Sequence, residues 1–314
     1  MKILLRLISS FVLWIIMAVV IILIVLLPRD MQSHRVGMED VMSYHFTWSG
    51  YKHNIVDYFE NVKKEKSLGK TVANEPVEWE LVHYGFRSIV IIVPALFLSI
   101  VIGIYKGIFD YRRNRGLWKI LGEGTTWIGQ SVPDFFIILI IETIISLTIH
   151  RVYPHLQLYG YAHWYNIFLP IIFLSFYPAS VIAGFTTQAL KEEDEKDYIL
   201  TARAKGLSEK IVLRSHILRN CVPKLLHHFM PITLTLLSSM FLVEMLTLYR
   251  AMGSRLMEAV KMKETISSAA KSMPIDTSAA ICFSLAFMLL LLITQWISLA
   301  LKYYLVPASK EEQS

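Results

Sequence analysis

Six long apolar runs constrain this chain more than any other feature of its sequence. A helix needs about 20 apolar residues to cross a hydrocarbon core about 30 Å thick. Backbone groups inside lipid must also find their hydrogen-bond partners within the segment, which favours helices. The sequence therefore predicts an all-α membrane protein with six transmembrane helices. The runs cover approximately 7–27, 88–108, 121–149, 167–190, 229–248 and 277–301.

The composition agrees with this prediction. Hydrophobic residues make up 54% of the 314 residues and charged residues only 18%, which is more apolar than a usual soluble domain. The formal net charge of +6 would suit a protein that binds nucleic acid, but the basic residues flank apolar runs, where they act as signals of membrane topology. We therefore expect no nucleic-acid partner. Cys221 and Cys282 lie in different segments, so we predict neither a disulfide framework nor a metal site.

The amino-terminal run shares one feature with a signal peptide, because Lys2 and Arg6 precede it. It is longer than a usual signal core, and Pro28-Arg29-Asp30 follows it instead of a small-residue cleavage site. We interpret residues 1–27 as a retained first transmembrane helix.

The basic residues predict the orientation in the membrane. Lysine and arginine are concentrated between the second and third runs and between the fourth and fifth, which places those loops and both termini in the cytoplasm. Basic residues in 250–276 would then face outward and weaken this prediction. Segment 28–82 is expected to be extracytoplasmic, 83–304 to form the transmembrane domain, and 305–314 to be a cytoplasmic tail.

The cytoplasmic loop 189–228 is the most informative segment. An acidic run precedes helix-favouring residues 198–205, Gly206 can end that helix with a positive φ, and Ser208 can cap a second one. We expect the second helix to run to about Asn220, with Pro223 marking the next boundary. Small side chains beside the glycine would let a partner protein approach closely, as in a helix-in-groove contact. An ordinary amphipathic connector explains the same pattern equally well.

The loop also resembles a known family. The residues that carry the resemblance are Asp197-Tyr-Ile-Leu-Thr-Ala-Arg-Ala-Lys-Gly-Leu-Ser208 and, further along, His216-Ile-Leu-Arg-Asn-Cys-Val-Pro223. They are similar to the EAA loop of binding-protein-dependent ABC importer permeases, and their motif is the form found in the oligopeptide, dipeptide and nickel branch. The chain departs from that branch at Tyr249-Arg-Ala-Met-Gly253, where an aromatic-Pro-Gly-Leu-Gly stretch is usual. Weaker similarities lie at 27–30, 67–71, 103–107, 131–135 and Glu244.

This resemblance implies a type I ABC importer permease with a cytoplasmic coupling helix. It implies a second homologous permease, two ATP-binding cassette subunits and an extracytoplasmic solute-binding protein as partners. ATP and magnesium would bind to the ATPases, with no cofactor and no catalysis in this chain. The residues that would couple to the ATPases are Tyr198, Ala202, Arg203, Ala204, Lys205, Gly206 and Leu207.

Two acidic residues inside apolar runs are candidates for the translocation pathway. An ionised group in a membrane span is costly, so Glu142 and Glu244 should face a protein interior or a wet cavity. Contact with the substrate path is one interpretation, and a packing hydrogen bond to a neighbouring helix is the other. We slightly favour the substrate path for Glu142 and favour neither interpretation for Glu244.

The functional hypothesis is a multi-pass permease subunit of the cell membrane that carries peptides or a related small solute, such as a nickel chelate. The alternative is a self-contained, ion-driven secondary transporter. The loop 189–228 discriminates between them, because an ion-driven carrier needs no docking helix for an ATPase.

Overall fold

The computed structural model describes residues 2–28, 31–36, 39–44, 46–72, 74–113, 116, 119–153, 155–261 and 275–305. Within these residues the chain is mainly helical, and five helices are long and apolar enough to span a membrane, with a bent helix pair as a candidate sixth span. The predicted all-α class is confirmed, with one short hairpin in the described residues as an addition. The chain divides into two compact units, 1–88 with 250–292 and 89–249 with 293–314.

The first unit begins with an apolar helix and continues into a small polar region. Strands β1 and β2 pair antiparallel, with Met31 opposite Tyr44 and Val36 opposite Glu39. Lys66 ends the helix after the hairpin in the left-handed conformation, with φ of 49°. The elements of this unit are α1 (Lys2–Val25), β1 (Met31–Val36), β2 (Glu39–Tyr44), α2 (Trp48–Glu65), the start of α3 (Val77–Arg112), α11 (Met252–Val260) and the start of α12 (Thr277–Leu305).

A buried ionic cluster joins separate segments of the first unit. Arg255 is 8% exposed, and its Nε lies 2.7 Å from Glu80 Oε2 while Nη2 lies 2.6 Å from Asp276 Oδ2. Although burial disfavours its charge, the hydrogen bonds to these carboxylates raise the pKa of Arg255. The backbone N–H of Val72 also donates to Asp276. The cluster therefore ties α11 to the first turns of α3 and α12.

The second unit contains the broken span and the long loop. Its elements are the rest of α3, a π-helical turn (Ile120–Gly124), α4 (Thr125–Ser131), α5 (Asp134–Val152), a 3-10 turn (Trp164–Ile167), α6 (Phe168–Asp194), α7 (Asp197–Ala204), α8 (Glu209–Ile211), a π-helical segment (Val212–Ile217), α9 (Leu218–His227), α10 (Phe229–Leu246) and the end of α12. Helices α4, α9 and α10 each pack against α6, which is the centre of this unit.

The third predicted span is not one straight helix. Ile120–Ser131 and Asp134–Thr148 meet at 107°. Val132 between them is extended, with φ of −86° and ψ of 127°. Pro133 explains the break, since a proline disfavours the helical conformation of the preceding residue and has no N–H to donate. Hydropathy predicted the apolar length of this span correctly but not its change of direction.

Two glycines allow α3 and α6 to approach closely, as their spacing in the sequence predicts. A methyl group at Gly103 would lie 2.6 Å from Ile182 Cβ, and one at Gly107 would lie 2.5 Å from Thr186 Cβ. Thr187 Oγ1 also donates a hydrogen bond to the Gly107 carbonyl at 3.1 Å. A side chain at either glycine would therefore separate the two helices, so both glycines serve close helix packing.

Candidate functional site

The loop after α6 folds into two short helical pieces around Gly206, as predicted. Gly206 has φ of 77°, its N–H donates to the Arg203 carbonyl at 2.9 Å, and the next N–H, of Leu207, donates to the Ala202 carbonyl at 3.4 Å. This pair of bonds is the Schellman motif, which ends a helix at a residue with positive φ. A side chain at Gly206 would meet no atom within 4 Å, so only the backbone conformation requires glycine there.

The second helical piece is longer than predicted. Ser208 precedes α8 in an extended conformation, and the helix continues through the π-helical segment into α9, which ends at His227. Pro223 lies inside α9. The prediction that it marks a boundary is wrong, because packing against α6 outweighs the low helix propensity of one proline.

A small apolar core holds the loop against the end of α6. Ile199 from α7 is fully buried and Ala202 is 6% exposed. The cluster contains Ala189, Leu190, Ile199, Ala202, Val212, Leu213, Ile217 and Cys221. The side chain of Ala202 therefore belongs to the interior of the loop, which differs from its predicted position in a contact with an ATPase.

Arg203 connects three elements of the loop. Its Nη2 lies 2.6 Å from Asp194 Oδ1 at the end of α6, and its Nε lies 2.9 Å from Glu209 Oε1 at the start of α8. The hydrogen bond with Glu209 raises the pKa of Arg203, and the bond with Asp194 acts in the same direction. The guanidinium that was predicted to face a partner is thus held by carboxylates of its own chain.

Tyr198 is also tied to the loop through its hydroxyl. The hydroxyl donates to Glu193 and accepts a hydrogen bond of 2.8 Å from Asn220 Nδ2 on α9. Burial raises the pKa of Tyr198, and the bond to Glu193 adds to the shift. Lys224 Nζ lies 2.7 Å from Glu192, so α9 is joined to α6 by charge as well.

An apolar set of side chains remains exposed on the outside of this framework. Leu200 is 56% exposed, Leu207 36% and Ile211 48%, and Ala204 is exposed as well. Exposed basic residues accompany them, including Lys205, whose contact with an ATPase stays a prediction. We refer to Leu200, Ala204, Leu207 and Ile211 together as the loop surface.

The two candidate pathway acids lie in different environments. Glu142 on α5 is half-buried, and within the described residues its carboxylate has no hydrogen-bond partner, while its backbone carbonyl accepts a bond of 3.5 Å from the Tyr159 hydroxyl. Burial raises the pKa of Tyr159, and the charge of Glu142 adds to the effect. Glu244 on α10 is 1% exposed. The structure thus gives Glu142 access to space outside the chain and encloses Glu244.

The sequence did not single out a buried polar network beside the broken span. Asp110 on α3 is 1% exposed, and both Lys106 Nζ and Thr126 Oγ1 donate to it at 2.5 Å. Lys106 also donates to the Gly122 carbonyl at 2.9 Å. Asp110 and Thr126 help to line a cleft of about 680 Å³ between α4 and α6. The spacing Lys106-x-x-x-Asp110 indicates an ion pair on a helix and could have been recognised in the sequence. No sequence pattern indicates the hydrogen bond from Thr126 to Asp110.

Apolar helices of spanning length, joined by a charged loop with its own core, define a polytopic α-helical membrane protein. Residues 99–302 match the family described as binding-protein-dependent transport system inner membrane component, and the chain belongs to this family.

Individual relatives and one solved structure are also similar. The dipeptide transport system permease protein DppB of Lactococcus lactis subsp. cremoris is 30% identical over 64% of this chain, and the match spans 62% of that protein, less than two thirds of its length. The glutathione transport system permease protein GsiC of Pectobacterium atrosepticum is 24% identical over 79% of this chain and 78% of its own length. A chain of the MetNI methionine ABC transporter in inward-facing conformations superposes with a TM-score of 0.58 at 14% identity, covering 73% of this chain and 98% of the other. This last similarity shows the fold.

Proposed function

We propose that this chain is the translocating permease subunit of an ATP-driven importer and that the loop surface is where it contacts an ATPase subunit. The observation that carries the proposal is a patch of exposed apolar side chains, with the exposed Lys205 and Lys210 near them in the sequence, on a loop that has its own buried apolar core. A loop that served only to connect two spans would need no such patch. A partner with an apolar groove would bury it.

The contacts inside the loop suit the transmission of movement to a span. Arg203 is paired with Asp194 of α6, and Tyr198 is bonded to Glu193 of the same helix. Packed helices move as rigid bodies rather than deform continuously. A displacement of α7 by a partner would therefore displace α6, which is one of the apolar spans.

The proposed cargo is a peptide or a related small solute. The names of the relatives support it, since they describe dipeptide and glutathione permeases. We further propose a second homologous permease, two ATP-binding cassette subunits and an extracytoplasmic solute-binding protein as partners in the lipid bilayer. ATP and magnesium would bind to the cassette subunits, and this chain would catalyse no reaction itself.

The proposal for the loop surface is tested by a pair of substitutions at one exposed position. Ala204→Glu places a larger, charged side chain on the loop surface without touching the loop core, whereas Ala204→Ser changes its size very little. We expect the glutamate variant to lose ATP-dependent uptake and to retain less ATPase on co-purification, and the serine variant to behave as the wild type. Normal uptake by both variants would refute the docking role.

A further inference from the structure

Helix α2 is joined to the end of the first membrane span by two hydrogen bonds. The Tyr51 hydroxyl donates to the Leu23 carbonyl at 2.9 Å, and Asn54 Nδ2 donates to the Leu26 carbonyl at 3.3 Å. Leu23 lies in the last turn of α1, and Leu26 directly follows its last residue, Val25. Because the hydrocarbon core ends where such a span ends, α2 is held at the depth of the lipid headgroups.

The surface of α1 beside this junction has the character of a lipid-facing surface. Large apolar side chains are exposed in its last turns, with Val20 at 40% and Ile24 at 57%, and Leu27, two residues past its end, is 38% exposed. Only about a tenth of the span is buried, at 11% of its most apolar window. An apolar helix that is exposed over most of its surface is normally surrounded by lipid.

Eight exposed residues of α2 form two adjacent sectors around the helix axis, and the other exposed residues of this helix, Asn61, Lys64 and Glu65, lie in its last turns outside both sectors. Successive residues of a helix are offset by about 100° around its axis. Trp48, Lys52, Val56, Phe59 and Lys63 therefore lie within about 80° of one another, and Ser49, His53 and Glu60 lie within the adjacent sector of about 40°. The first sector is apolar and basic, with Trp48, Phe59 and Val56 exposed at 75%, 52% and 42%. Lys52 and Lys63 complete it, while the second sector consists of Ser49, His53 and Glu60.

We propose that α2 lies along the membrane surface and that the sector of Trp48, Lys52, Val56, Phe59 and Lys63 contacts lipid. Tryptophan and other amphipathic rings concentrate at the headgroup level, and lysine extends its ammonium group toward lipid phosphates while its methylene chain stays in the apolar region. The contact continues the lipid-facing surface of α1 onto α2. The sector of Ser49, His53 and Glu60 then faces water.

The proposed lipid contact does not depend on the proposed transport function, because it requires only that α1 spans the bilayer. A soluble binding protein or a second permease could cover the same sector instead. Lipid is favoured because the ring of Trp48 lies 6.2 Å from that of Tyr51, which is bonded to the end of α1, and because the sector carries positive charge suited to anionic headgroups. Protein cover and open water are therefore the outcomes that contradict the proposal.

The test uses nitroxide labels on the complete transporter in vesicles of phosphatidylcholine and phosphatidylglycerol. Trp48→Cys and Phe59→Cys place labels in the lipid sector, with Val56→Cys as a further position if either variant is poorly produced. His53→Cys and Glu60→Cys are the matched controls on the same helix. Both native cysteines are buried, so labelling of the unmodified protein measures their background.

Collision with oxygen, which concentrates in lipid, is compared with collision with a water-soluble nickel chelate. We expect an oxygen-to-nickel ratio several-fold higher at 48 and 59 than at 53 and 60. Equal ratios at all four positions would show that the sector faces water. Exclusion of both reagents from 48 and 59 would show a protein partner there, and either result would overturn the proposal.

Discussion

Arg203 and Glu209 form an ion pair of 2.9 Å between Nε and Oε1 that joins the two helices on either side of Gly206. The guanidinium is 30% exposed and the carboxylate 70%, so solvent screens the pair, and it should contribute less than about 1 kcal/mol to stability. Because the pair joins α7 to α8 directly, we expect it to restrict the angle between them, and with it the shape of the loop surface, more than it stabilises the fold.

Removal of this pair should therefore affect coupling more than folding. We expect Glu209→Gln to leave the melting temperature within a few degrees of the wild type, since it keeps the size of the side chain and loses only its charge. Uptake per ATP hydrolysed should fall, because the loop transmits movement less rigidly. Transport and ATP hydrolysis measured together in vesicles check this prediction, and an unchanged ratio would contradict it.

The packing of α3 on α6 gives a stability prediction with a control on the same helix. Gly107→Val should destabilise the protein by about 1–3 kcal/mol or more, because the new side chain would overlap Thr186. Gly85→Ala lies on α3 where a methyl group meets nothing within 4 Å, and it should be neutral or stabilising by up to about 1 kcal/mol. Thermal stability in detergent, followed by size-exclusion chromatography, distinguishes them. Equal losses in both variants would refute the close approach.

The ion pair of Lys106 with the buried Asp110 predicts a non-additive result. Lys106→Met would leave the carboxylate of Asp110 buried without its cation and should destabilise the protein, but by less than the cost for a fully buried pair, which is about 3–5 kcal/mol, because the side chain of Lys106 is 30% exposed. The double variant Lys106→Met with Asp110→Leu removes both charges and should be closer to the wild type than the single variant. The same thermal assay tests this. A double variant whose loss equals the sum of the single losses would show that the two residues act independently.

Glu142 is predicted to contribute to uptake rather than to folding. Its side chain is half-buried and without a hydrogen-bond partner in the described part of the chain, so Glu142→Gln removes a charge and no structural bond. We expect reduced uptake with normal assembly of the partners. Thr143→Val on the next, exposed position is the control and should transport normally. Normal uptake by Glu142→Gln would favour a packing role for this residue.

The orientation of the loop can be tested with an engineered thiol, whereas Cys221 is unsuitable. Cys221 is fully buried, and burial raises its pKa to about 11, so at pH 8 it remains a protected, neutral thiol on either side of the membrane. Lys210→Cys is exposed and should react with an impermeant reagent only after cells are opened. His53→Cys should react in intact cells. Reversed labelling would contradict the predicted orientation.

The spans were predictable because lipid imposes length and apolarity on each of them separately. The runs at 229–248 and 277–301 match α10 and α12 to within a few residues. Pro133 indicates a kink in its span from the sequence alone, but the angle of 107° depends on tertiary structure and no local pattern gives it. The hairpin within 28–82 was also missed, since no hydrophobic alternation marks its two strands.

The candidate site was predictable as a segment but not residue by residue. The helix, the turn at Gly206 and the exposure of Ala204 and Leu207 follow from local rules and a motif. The burial of Ala202 does not follow from local rules, because alanine suits either a core or a surface and its position depends on the tertiary fold. The same holds for Arg203, whose carboxylate partners are six and nine residues away in the sequence.

Gly206 provides the most direct test of the central claim that this loop couples the chain to an ATPase. It needs a positive φ and has free space around it, so Gly206→Asn should preserve the turn, since asparagine tolerates this conformation, whereas the β-branched side chain of Gly206→Val should not. The measurement is ATP-driven uptake in vesicles together with co-purification of the ATPase subunits. The account predicts that the valine variant inserts into the membrane but loses uptake, and that the asparagine variant retains it. Wild-type uptake by the valine variant, or failure of any ATPase to co-purify with the unmodified chain, would contradict the account.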